Sequence, residues 1–82
     1  MIDNYKLGKV LRGLREDTYT NGRRLSIEAL SNKSGLGSTT ISTIEHGKAS
    51  PTVFTLGILC WSLGVKMSTV IAQCEGKKGQ KE

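Results

Sequence analysis

Apolar residues recur at three- and four-residue spacing through most of the chain. Leu7, Val10, Leu11 and Leu14 fall at i, i+3, i+4 and i+7, with Lys6, Lys9, Arg12 and Arg15 among the positions between them. That spacing predicts an amphipathic helix near residues 3–17. The stretch TYTNGRR at 18–24 interrupts it with an Asn-Gly turn signal and two β-branched threonines, so the helix is expected to stop there and give way to a mobile, basic loop. Ser26 is a good N-cap for a second helix over IEALSNKS, with Leu25 placed to staple against Leu30 and Gly35 suited to end it.

Ser38 can cap a short third helix whose buried face is Ile41 and Ile44, and Gly47 suits a left-handed stop after it. Thr52, following Pro51, is expected to cap a fourth helix, VFTLGILCWSLG. Its core stripe is Val53, Leu56, Leu59, Cys60 and Leu63, yet Phe54, Ile58 and Trp61 repeat at i, i+4 and i+7 on the opposite side. Residues 49–65 carry no charge at all. A domain this small has difficulty covering two apolar faces, so Phe54, Ile58 and Trp61 are expected to meet another chain; cover by the fifth helix, or by the loop bearing Tyr19, is the alternative. Met67, Val70, Ile71 and Cys74 mark that fifth helix. With no alternating run longer than a few residues, the predicted class is all-α.

Composition narrows the picture. The 82 residues suit one domain over 1–75 and a basic, flexible tail over 76–82, leaving no room for a second, ligand-sensing domain. Twelve Lys and Arg against seven Asp and Glu give a net charge of +5. Lys77, Lys78 and Lys81 against Glu82 place two of those charges in the tail. The balance suits a polyanionic partner without requiring one. The N-terminus lacks a signal-peptide core and no apolar run reaches membrane-spanning length, so the expected location is cytoplasmic. There Cys60 and Cys74 stay reduced, and core packing is their simplest role. His46 has no partner at metal-ligand spacing, and neither a Ser/His/Asp arrangement nor a phosphate-cradling glycine loop is present. No catalytic residue, metal or cofactor is therefore expected.

The strongest motif lies between Ile27 and His46. A small residue, Ser31, is followed by Gly35 and then by Ile41 and Ile44, the residue types two helices need when they cross through a tight turn. Continued by IEHGKASPTVFTLGILCWSLGV, the pattern resembles the Cro and phage-repressor (XRE) family of helix-turn-helix proteins over roughly residues 7–74. The resemblance implies a compact, lambda-repressor-like bundle of five helices. In it, helices 2 and 3 form the helix-turn-helix, and helix 3 enters the major groove of double-stranded DNA. It makes Ser38, Thr39, Thr40, Ser42 and Thr43 the candidates for groove contacts. Lys48 and the amides that open helices 2 and 4, at Ser26, Ile27 and Thr52, become candidates for phosphate contacts. It also implies that Arg15 and Glu45 pair to tie helix 3 to helix 1.

Departures from the family pattern matter as much. Ile27 stands where a phosphate-holding Gln is common, so only its backbone amide can serve. The loop between helices 1 and 2 is longer than usual and contains Arg23 and Arg24, which either hold phosphates or are solvated loop charges. Between Gly37 and Glu45 there is no Arg, Lys, Gln or Asn. Hydroxyls can still donate to or accept from base edges, and a Thr methyl can pack on a thymine methyl, with DNA shape supplying further discrimination. The expected function is a homodimeric, sequence-specific repressor of the phage, plasmid or mobile-element type on an inverted-repeat operator. The alternative is an antitoxin or controller protein that holds a protein partner through helix 4.

Overall fold

A computed structural model of the chain describes residues 3–76. Five helices follow in order: α1 (Asn4–Glu16), α2 (Ile27–Ser34), α3 (Ser38–Glu45), α4 (Val53–Leu63) and α5 (Met67–Cys74). The all-α bundle expected from the spacing is what forms. Leu7 and Leu11 from α1, Leu30 from α2, Ile41 and Ile44 from α3, Leu56 and Leu59 from α4 and Val70 from α5 close on one core. Leu25 joins them from the turn before α2, so both partners of the expected staple are buried. Cys60 and Cys74 are buried there as free thiols, and desolvation pushes both thiol pKa values up. Beyond Gly76, the tail foreseen at 76–82 lies outside the described residues.

Caps decide where several elements begin. Asp3 accepts from the Lys6 amide at 2.7 Å, Ser26 from the Ala29 amide at 3.0 Å and Thr52 from the Thr55 amide at 3.0 Å. Each satisfies one of the amides that a helix start leaves without an intrahelical partner. Ser38 does not act this way. Gly37 is the cap residue of α3 and Ser38 its first helical residue, with no side-chain cap bond. Gly35 takes the left-handed conformation, φ 82°, that turns the chain from α2 towards α3. Across that turn the Ser31 hydroxyl donates to the Leu36 carbonyl, so the small polar residue both permits the crossing and ties it down.

Two further expectations need correction. Residues 18–24 are not a plain mobile loop: β1 (Tyr19–Thr20) and β2 (Arg23–Arg24) pair antiparallel, Tyr19 opposite Arg24 and Thr20 opposite Arg23. Asn21 and Gly22 at φ 55° and 81° make the tight turn, the backbone twist that joins two-residue hairpin loops. Val53, assigned to the core stripe of α4, is 76% exposed because it sits at the open first turn, ahead of the packed residues. Ser62 takes a buried place instead, with no hydrogen-bond partner for its hydroxyl among the described residues.

Candidate nucleic-acid interface

Three buried residues, Ile41, Ile44 and Glu45, fix which way α3 faces. Ser38, Thr39 and Thr40 are then exposed and Ser42 and Thr43 half-buried, so the side turned away from the core is lined by hydroxyls. Thr39, Thr40 and Thr43 open into one cleft of about 280 Å³ with Ala49, Ser50, Pro51, Thr52 and Thr55. The structure thus brings part of the hydroxyl face together with the capped start of α4. Ser38, Ser42 and Lys48 are outside that cleft's lining, Lys48 being exposed beyond the end of α3.

Within the cleft the hydroxyls are partly committed. Thr43 Oγ1 donates to the Thr39 carbonyl at 2.7 Å, a bond one turn back along the helix. Thr52 Oγ1 donates to Thr55 Oγ1 at 3.1 Å while accepting from the Thr55 amide. What Thr43 leaves outward is therefore acceptor capacity and a methyl group.

A second concavity, about 440 Å³, lies beside the start of α2 and is lined by Thr20, Asn21, Arg23, Arg24, Leu25, Ser26 and Ala29. The hairpin carries both arginines to the same hollow as the Ser26 cap. Arg24 Nε donates to the Tyr19 hydroxyl at 3.3 Å across the strand pair, which steadies one of two exposed guanidinium groups. Ile27 is half-buried and packs against the core.

Helix α3 is held from behind. Arg15 Nε and Nη2 donate to the two oxygens of Glu45 at 2.7 and 2.9 Å, and Nη1 donates to the Leu25 carbonyl at 2.9 Å. Both residues are buried, so the pair anticipated from the family resemblance is a two-pronged bridge rather than two solvated charges. The hydrogen bonds that Arg15 donates to Glu45 raise its pKa against the opposing effect of burial, and the guanidinium stays charged. Gly8 was missed from the sequence. A Cβ there would stand 2.5 Å from the Ile44 carbonyl oxygen and 2.6 Å from that of Glu45, so a bare backbone is what lets α1 close on the end of α3. Only a neighbour 36 or 37 residues away reveals the constraint, and a lone Gly in an amphipathic helix gives no sign of it.

On the far side of α4, Val53, Phe54, Gly57, Ile58 and Trp61 line an apolar groove of about 370 Å³. Phe54 and Trp61 are 78% and 75% exposed, and neither α5 nor Tyr19 covers them. Among the described residues no group of three or more His, Cys, Asp or Glu is placed to hold a metal ion. Nor is any single described helix long and apolar enough to cross a membrane.

Known proteins share this arrangement. A helix-turn-helix family model matches residues 21–70. The clp gene regulator ClgR from C. glutamicum superposes with a TM-score of 0.78 at 23% identity, over 89% of this chain and 87% of that one. The restriction-modification controller protein C.AhdI from Aeromonas hydrophila gives 0.73 at 25% identity, over 82% and 94%. The controller protein C.Esp1396I, solved as a tetramer with its natural 35 base-pair operator, gives 0.74 at 24% identity, over 90% and 91%. No curated protein matches at a significant level. With the family match spanning more than half of its length, and the helix-turn-helix formed by α2 and α3, the chain belongs to the HTH_3 (XRE-type) helix-turn-helix family of DNA-binding transcriptional regulators.

Proposed function

We propose that the protein is a homodimeric, sequence-specific repressor that binds an inverted-repeat operator in double-stranded DNA. The repressor is of the autoregulatory kind carried by phages, plasmids or mobile elements. The observation that carries the reading is the open, hydroxyl-lined face of α3 beside the capped start of α4. In this account α3 lies in the major groove with Ser38, Thr39, Thr40, Ser42 and Thr43 towards the base edges. Lys48, Arg23, Arg24 and the amides opening α2 and α4 lie on phosphates, which supply much of the affinity. Arg15 and Glu45 act indirectly, by fixing the angle at which α3 is presented.

The second copy docks through α4. The stretch 49–65 has no charge to desolvate, and its groove is lined by Gly57 together with the exposed Trp61. One surface therefore offers both a projecting aromatic anchor and a recess, as a two-fold interface requires. A toxin or polymerase bound at the same face would instead make the protein an antitoxin or controller. The exposed Phe54 and Trp61 are what favour that second reading.

Selection from a randomised duplex library at about physiological salt tests the proposal, because affinity and specificity both depend on salt. The expected product is an inverted repeat whose half-sites are about one DNA turn, roughly 34 Å, apart. Salt-sensitive retention with no enriched sequence would contradict it.

A further inference from the structure

At the C-terminal end of the outward face of α3 is one side chain with longer reach than a hydroxyl. Successive helical residues are about 100° apart, so the buried Ile41, Ile44 and Glu45 place Thr39, Thr43 and His46 on the opposite side. His46 ends α3 with φ −89° and ψ 3°, close enough to helical to keep that direction, and its side chain is exposed. Its ring is held. Nδ1 lies 2.7 Å from the Ser42 carbonyl oxygen, while the Ser42 hydroxyl is at 3.4 Å. A carbonyl only accepts, so Nδ1 carries the proton and donates it to the helix. The two nitrogens of an imidazole point away from one another, so the Nε2 lone pair of the neutral ring is directed away from the helix.

We propose that His46 is a specificity-determining contact, accepting at Nε2 a hydrogen bond from the exocyclic amino group of an adenine or cytosine. Adenine N6 and cytosine N4 are the donors that base pairs present in the major groove, whereas guanine O6 and thymine O4 would face the lone pair with another. Thr43 reinforces the bias, its proton being spent on the Thr39 carbonyl. Thr43 and His46 thus add acceptors and a methyl group to a face that lacks Arg, Lys, Gln and Asn. This inference rests on α3 being the reading helix.

The test repeats the duplex selection. It compares the full chain with His46→Asn, His46→Ala, His46→Gln and Thr43→Ala. Asn can keep the donor to Ser42 but lacks any atom at the place of Nε2, which separates a contact with DNA from a role in ending the helix. The expected result is a preference of roughly three- to tenfold for A or C at one position of each half-site, the range of a single neutral hydrogen bond. His46→Asn and His46→Ala lose it while the other positions persist, and His46→Gln retains a preference for A. An unchanged motif in both His46→Asn and His46→Ala, or a uniform loss of affinity with the motif intact, overturns the proposal. If the motif responds to Thr43→Ala but not to His46, only the role of His46 fails. If the unaltered protein selects no motif, α3 as reader fails with it.

Discussion

Arg15 joins three parts of the molecule, since it lies on α1, grips both oxygens of Glu45 on α3 and holds the carbonyl of Leu25 ahead of α2. A buried ion pair adds little net stability over an apolar pair of the same size, because its desolvation offsets most of its attraction. Losing one partner is another matter. Arg15→Ala leaves Glu45 charged, buried and short of two donors, and should cost roughly 3 to 5 kcal/mol in urea unfolding. A loss below about 1 kcal/mol would mean the pair behaves like a solvent-exposed one. The position of the pair was legible only through the family resemblance, because nothing in the local spacing of Arg15 and Glu45 brings them together. The hydroxyl candidates on α3 likewise came from the resemblance, while periodicity gave its buried side, Ile41 and Ile44. His46, without metal partners, reads from the sequence as a surface or phosphate-contacting residue, and only the bond from its Nδ1 to the Ser42 carbonyl shows that its ring is held.

At the scale of elements, α1 and α3 touch where Gly8 meets the last carbonyls of α3. Gly8→Ala would normally favour a helix by about 1 kcal/mol. Here the added methyl collides with backbone, so thermal unfolding should instead show a loss of roughly 1 to 3 kcal/mol, the usual cost of overpacking. A gain would show that α1 can move away from α3. The hairpin makes a separate prediction. If β1 and β2 carry Arg23 and Arg24 onto phosphates, replacing both with Ala should flatten the slope of log affinity against log salt by about one to two units, at roughly 0.9 per phosphate. The selected sequence should not change, and an unaltered slope would remove the hairpin from the interface. Helices were readable because each pairs an apolar period with a cap or a stop. Two-residue strands give no alternation to read, and all four strand residues are exposed, so only the Asn-Gly turn announced them. Val53 was misplaced for a related reason: periodicity assigns a direction around α4 but not how far the core extends along it.

For the molecule as a whole, the two ends of the argument are α3 and α4. The first presents hydroxyls and the second an uncovered apolar face, and a two-fold dimer would put both to use by spacing a pair of reading helices along DNA. Sedimentation equilibrium of the intact protein and of Trp61→Glu, each alone and with the selected duplex, tests that link most directly. The account predicts a dimer of twice the 8.9 kDa chain for the intact protein. It predicts a folded monomer for Trp61→Glu that binds the full inverted repeat no more tightly than a single half-site. A Trp61→Glu protein that stays dimeric would move the interface away from α4, and an intact protein that stays monomeric even on the duplex would contradict the dimeric repressor itself.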